Sequence, residues 1–263
     1  MKQQYIINRE RALTNEELQR TIPSAYSAGA WERVSEKYQH IRTSEIISTL
    51  AGLGYTPHSA RQGGTRIEGK EYHTRHLITF KADHTAMLTP TLWILNSSDR
   101  STDCRIGVGL FRRECLNHFL CTLGESYQAY RYRHVLKTSV ESIHGQAKVL
   151  CESFPKLLET VARFKSIQLS LTERLQFAEE ALKLRYSMGD SATHGPDRLL
   201  TVRRYTDKSQ DLFSTLNVIQ ENLLQTNYAR WPGEKTIRSV GLTKSMELNR
   251  GVWQLAEDFA LAR

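Results

Sequence analysis

The stretch at residues 90–118, PTLWILNSSDRSTDCRIGVGLFRRECLNH, constrains the fold more than any other part of this chain. It reads as a buried strand over 91–95, a polar turn over 96–103 and a second extended run over 105–111. In the second run Ile106, Val108 and Leu110 share one face and Gly107 and Gly109 the other, the period of two that a strand imposes. A glycine inside a strand weakens it unless backbone, base or ligand must approach closely there. The bare face is therefore a packing seam or a binding surface, and the seam is the favoured reading.

Around this pair the chain supplies further strands and their covering helices. Thr14-Asn-Glu-Glu17 is a capping box with Leu13 and Leu18 as its hydrophobic staple, so a short helix starts at Asn15 and ends before Pro23. Residues 24–42 are mixed and read mostly as loop. Thr43 or Ser44 caps a helix that buries Ile46, Ile47, Leu50 and Leu53 and stops at Gly54. Residues 55–67 and 72–81 are extended and joined through Glu68-Gly69-Lys70 as a hairpin, with Arg61, Arg66, Lys70 and Arg75 outward. His73 and His76 fall on opposite faces of a strand, which makes them structural or surface histidines and not a metal pair.

Residues 136–164 carry apolar positions at alternating steps of three and four, the mark of a long amphipathic helix that Pro155 bends or splits. Ser170-Leu-Thr-Glu173 is a second capping box. Helices follow over 207–225, burying Leu212, Leu216, Ile219 and Leu223, and over 243–260, burying Leu248, Val252, Leu255 and Phe259. The expected class is α+β: an antiparallel sheet with packed helices over 1–135, and a helical region over 136–263 packed on it.

Charge narrows the choice of function. Lys plus Arg number 36 against 28 Asp plus Glu, a net charge of +8 that favours anionic partners such as nucleic acid. Residues 126–135, SYQAYRYRHV, alternate Tyr130, Tyr132 and His134 with Arg131, Arg133 and Val135. Stacking rings beside phosphate-seeking guanidiniums are what a single-strand platform uses; the other reading is an edge strand with ordinary Tyr and Arg cross-strand pairs. Further basic positions recur at Arg203 and Arg204 and, in the loop after Trp231, at Lys235 and Arg238.

The cysteines, Cys104, Cys115, Cys121 and Cys151, form no C-x-x-C pair, and neither a secretory leader nor a membrane-length apolar run is present, so reduced thiols in a cytoplasm are expected. A zinc site from Cys104, Cys115, His118 and Cys121 has poor spacing, and no bound metal is expected. Asp99, Asp103 and Glu114 are the carboxylates a magnesium-dependent nuclease would use, with Arg100 and Arg105 competing for them. No phosphate-cradling Gly-Lys-Ser loop and no ordered nucleophile–His–Asp signature exist, so neither a cofactor nor a catalytic residue is assigned.

Arg11-Ala-Leu-Thr-Asn-Glu-Glu-Leu18, Asn96-Ser-Ser-Asp99, Gly109-Leu-Phe-Arg112, Cys115-Leu-Asn117, Arg133-His134, Ile219-Gln-Glu-Asn-Leu223 and Leu248-Asn-Arg-Gly-Val-Trp253 occur in that order. The set resembles the YfjQ/YafZ-like family of phage- and plasmid-borne proteins, whose function is unknown. Where that family shows Asn-Ser-His-Asp-Gly-Ser, this chain has Ser98 for the histidine and Arg100 for the glycine. The resemblance implies a mobile-element setting, hence the cytoplasm of a bacterial host cell, and no reaction. A helix, a hairpin, more strands and a long helix are also similar in order to the core of single-strand annealing proteins. The leading expectation is a non-enzymatic nucleic-acid-binding protein, single-stranded DNA favoured, with an inhibitor of a host protein second and a metal-dependent nuclease third. Its oligomeric state is left open.

Overall fold

Seven strands, β1 (Tyr5–Asn8), β2 (Tyr55–Gln62), β3 (His76–Ala82), β4 (Leu88–Asn96), β5 (Cys104–Arg112), β6 (Asn117–Leu120) and β7 (Tyr130–Tyr132), join in one antiparallel sheet. The first six lie in chain order. β5 offers its far edge twice: Gly109 to Arg112 pair with β6, and Cys104 to Ile106 pair with β7. The structure is a computed structural model describing residues 5–82, 86, 88–112, 117–120, 129–135, 140–186, 195–224 and 240–263. The chain divides into two units, Met1–Phe154 and Pro155–Arg263.

Register explains which sheet face is core. Ile78, Ile94 and Ile106 are direct cross-strand neighbours, as are Phe80, Leu92 and Val108, and all six are buried. Trp93 occupies the other face opposite Gly107, and its indole Nε1 donates to the Val108 carbonyl at 2.7 Å. A Cβ on Gly107 would stand 2.5 Å from Trp93 Cζ2, so the glycine exists to admit the ring. This is the packing seam expected from the alternating glycines.

Helix α1 (Asn15–Thr21) opens on the Thr14/Glu17 capping box, in which the Glu17 amide donates to Thr14 Oγ1 at 3.2 Å and the Thr14 amide to Glu17 Oε2 at 2.9 Å. Such a cap is worth about 1 kcal/mol. Helix α2 (Thr43–Gly52) and helix α3 (Val140–Glu152) pack on each other, α2 also against β2 and α3 against β4 and β5. Pro155 splits the long helix as expected: α3 ends at Glu152 and α4 (Phe154–Ser166) restarts with the proline in its first turn, where no amide hydrogen bond is lost.

Four expectations need correction. Residues 5–8 pair as β1, an element not expected from the sequence. β2 stops at Gln62 and β3 starts at His76, so residues 63–75 form a long connection with a 3-10 turn at Lys70–Tyr72, in place of a tight hairpin at Gly69. Arg42, not Thr43 or Ser44, is the N-cap of α2, because the Thr43 hydroxyl is taken by buried partners described below. The helix expected over 207–225 is α7 below, and starts five residues later at Leu212 because Asp211 caps it, accepting the Ser214 amide at 2.7 Å.

The second unit contains the rest of α4, α5 (Leu171–Arg185), α6 (Pro196–Leu199), α7 (Leu212–Leu224) and α8 (Leu242–Leu261). α7 is buried over nearly its whole circumference, with α5, α6 and α8 around it. Phe164 of α4 meets Trp253 of α8 with ring centroids 5.4 Å apart. Gly251 brings α8 close to α5: a Cβ there would lie 2.8 Å from Leu184 Cδ1.

Candidate functional site

One end of the sheet carries a row of polar side chains where a core row would be expected. Gln62, His76 and Asn96 are cross-strand neighbours on the apolar face and none is exposed. Burying them is tolerable only if every donor and acceptor is used. Asn96 Nδ2 donates to the Ile41 carbonyl and to Thr43 Oγ1, both at 2.9 Å. Thr43 Oγ1 lies 2.9 Å from His76 Nε2, and His76 Nδ1 lies 2.8 Å from Ser24 Oγ. Ser24 Oγ donates to Gln62 Oε1 at 2.6 Å, and Gln62 Nε2 donates to the Glu71 carbonyl at 2.8 Å.

These directions assign the histidine tautomer. Because the Ser24 proton goes to Gln62, His76 must donate from Nδ1 and accept at Nε2 from Thr43. Nδ1 also faces the Thr74 carbonyl at 3.3 Å, which can only accept. Burial pushes the His76 pKa down to about 4, so the ring is neutral near pH 7. The histidine reading from sequence holds for His76, which is structural. His73 does the same work nearby, its Nδ1 3.1 Å from Ser27 Oγ and its ring against Trp31.

The row anchors the Asn96-Ser-Ser-Asp99 turn. Asn96 Oδ1 accepts the Ser97 amide, Tyr38 Oη donates to the Ser97 carbonyl at 2.8 Å, and the Trp31 amide donates to the Ser98 carbonyl at 2.7 Å. Ser98 Oγ lies 2.9 Å from His40 Nε2, whose pKa is pushed down to about 4, first by burial. Asp99 accepts the Ser101 amide at 3.0 Å and pairs with Lys70 Nζ at 3.2 Å. Arg100 then sits at φ +65°, the left-handed region, at the position where the resembled family has glycine. These residues hold a loop in place and present its tip.

The same end gathers charge. Arg66, Lys70 and Arg75 come from the 63–75 connection, Arg100 from the 97–103 turn, Arg105 from the start of β5, and Arg131 and Arg133 from β7 and just after it. Glu68, Glu71, Asp99 and Asp103 are the acids on the same segments. Arg105 and Arg131 stand directly opposite one another, on the face away from α2. Like charges in that relation are destabilising, and Asp103 offsets the pair through a short ion pair with Arg131. Gly63, Arg66, Lys70, Thr74, Arg75 and Asp99 contribute to the wall of a cavity of about 360 Å³ here.

The residues expected to bind nucleic acid are placed unequally. Arg131 and Arg133 are exposed. Tyr130 and Tyr132 are half-buried on the face that bears Ile106 and Cys104, and Tyr132 Oη donates to the Ser142 carbonyl of α3 at 3.3 Å. His134 is buried, stacked on Tyr38 at 4.5 Å between centroids, with Nδ1 2.9 Å from the Gln39 carbonyl. The strand thus turns its rings inward and its guanidiniums outward. Arg203 and Arg204 belong to the second unit. Arg203 is exposed, whereas Arg204 forms a two-pronged ion pair with buried Glu221 and approaches buried Asp207 at 3.7 Å. Lys235 and Arg238 lie outside the described residues, as do Cys115, Cys121, Glu114 and the side chain of His118.

Of the carboxylates considered for a nuclease, Asp99 is engaged by Lys70 and Asp103 by Arg131. Among the described residues no group of three or more His, Cys, Asp or Glu is placed to hold a metal ion. Cys104 is buried in the sheet, its pKa pushed up to about 12 by that burial, which leaves it an inert thiol. No helix among the described residues is long and apolar enough to cross a membrane.

Two of the motifs that carried the resemblance, 219–223 and 248–253, supply polar scaffolding. Gln220 Nε2 donates to Asn249 Oδ1 at 2.7 Å, joining the 219–223 motif of α7 to the 248–253 motif of α8. Asn222 Nδ2 donates to the carbonyls of Leu199 and Thr201, and Trp253 is fully buried. A buried polar network constrains sequence more tightly than an apolar one, since each member needs its own partner.

This α+β scaffold, with its wired turn and basic sheet end, belongs to a family of unknown function. The chain is a member of the family described as "Domain of unknown function (DUF932)", which it matches over residues 30–253. Two similar proteins of Escherichia coli (strain K12) are the UPF0380 protein YafZ, 32% identical over 258 residues, and the UPF0380 protein YfjQ, 31% identical over 258 residues; each alignment covers 96% of this chain and 93% of the relative. No solved structure matches.

Proposed function

We propose that this protein binds nucleic acid, single-stranded DNA first, with the basic end of the sheet in its first unit, and that it acts without catalysis in a mobile-element setting. The observation that carries the reading is the convergence of Arg66, Lys70, Arg75, Arg100, Arg105, Arg131 and Arg133 on one end of the sheet, with the like-charged Arg105 and Arg131 face to face. Asp103 and Asp99 offset only part of this charge from within the protein, and a phosphate backbone would neutralise the remainder along its length. Contact is through guanidiniums, because the neighbouring tyrosines face inward. The mobile-element setting is supported by the family resemblance alone.

Fluorescence anisotropy with labelled single- and double-stranded oligonucleotides across a salt series tests this. Binding should weaken steeply with salt, and Arg131→Ala with Arg133→Ala should flatten the single-strand slope by about 0.7 for each phosphate that the protein no longer neutralises. Absence of binding in low salt would remove the reading and leave an acidic protein partner as the reason for the basic end.

A further inference from the structure

The cavity beside the wired turn has a composition that a groove for a phosphodiester backbone does not need. Its wall includes Arg66, Lys70 and Arg75 against one carboxylate, Asp99, a surplus of two positive charges. Asp99 is itself held by Lys70 and by the Ser101 amide, so its charge is already countered from inside the protein. A terminal phosphate carries close to two negative charges at neutral pH, whereas an internal phosphodiester carries one. Hydroxyls accompany the cations. Thr74 is 7% exposed and its Oγ1 has no hydrogen-bond partner among the described residues, although Thr74 forms part of the cavity wall. Thr74 therefore gives up no hydrogen bond by turning to a ligand. The volume of about 360 Å³ falls at the small end of ligand pockets, room for a phosphate with its sugar.

We propose that this cavity is a phosphomonoester site, taking the dianionic end group of a nucleic-acid strand or the phosphate of a mononucleotide. The strand-end form rests on the nucleic-acid reading above; the mononucleotide form does not. Arg66 supplies the exposed guanidinium that meets the ligand first, and Lys70 and Arg75 flank it. The rigid turn behind Asp99 keeps the wall in place, because its atoms are tied to Tyr38, Trp31 and His40.

The test compares oligonucleotides of one sequence that end in a 5′-phosphate or a 5′-hydroxyl, by anisotropy with a 3′ label, and adds adenosine 5′-monophosphate by isothermal titration. Phosphorylated ends should bind about tenfold more tightly, a preference that Arg66→Glu and Thr74→Val each reduce and that Arg131→Ala leaves intact. Equal affinity for the two ends, or a preference that survives Arg66→Glu, overturns the site while leaving nucleic-acid binding standing. If no oligonucleotide binds, the nucleic-acid reading falls, and adenosine 5′-monophosphate decides the site: binding that Arg66→Glu abolishes supports it, and no binding overturns it. Circular dichroism melts of each variant separate a binding defect from a folding defect.

Discussion

Acid should unfold this protein partly through one histidine. His76 is wholly buried, accepts at Nε2 from Thr43 and donates at Nδ1 to Ser24, so a second proton at Nε2 would face a hydroxyl already donating to it. Its pKa is about 4 in the folded chain against an ordinary 6.5, the cause being burial. Between those values the unfolded chain binds the extra proton and the folded chain does not. Stability from this group is therefore complete above pH 6.5 and falls as pH drops towards 4. The linkage amounts to about 2 kcal/mol at pH ~5 and about 3 kcal/mol at pH ~4. Urea unfolding of the parent and of His76→Gln near pH ~7.5, ~5 and ~4 reads it as a difference, which cancels the carboxylates and the other histidines. The variant should be less stable than the parent near neutrality and should lose less on acidification, so the gap narrows by about 3 kcal/mol at the lowest pH. A gap that stays constant with pH would refute the burial and tautomer assigned here.

Gly107→Ala should cost about 1–3 kcal/mol of stability in urea, because its Cβ meets the Trp93 indole at 2.5 Å, and the same change made in a Trp93→Leu background should cost much less than it does in the parent. An unchanged midpoint for the single variant would show that Trp93 does not lie over the glycine. Arg204→Met should destabilise by about 3 kcal/mol, because it leaves buried Glu221 without its two-pronged partner. Oligonucleotide affinity of the folded variant should equal the parent's at every salt concentration; a flatter salt slope would place Arg204 in the binding surface after all.

Local chemistry was legible in the residues themselves. The two capping boxes, the split at Pro155 and the alternation in β5 depend on neighbours a few positions away, and hydrophobic period and cap geometry express those directly. The α+β class followed from the order of such elements. Tertiary structure decided what the polar and basic residues do. Nothing in the spacing of Ser24, Thr43, Gln62, His76 and Asn96 shows that they form one hydrogen-bonded row, because each partner lies on a different element. Tyr130 and Tyr132 alternate with Arg131 and Arg133 in either reading, and only the pairing of β7 with β5 determines which set faces inward. Arg203 and Arg204 look alike as a basic pair, yet buried Glu221, seventeen positions away, draws one of them into an ion pair. Short-range periodicity is written along the chain, whereas the partner that satisfies a buried charge or donor is chosen by the fold, and that choice separates scaffold from candidate site.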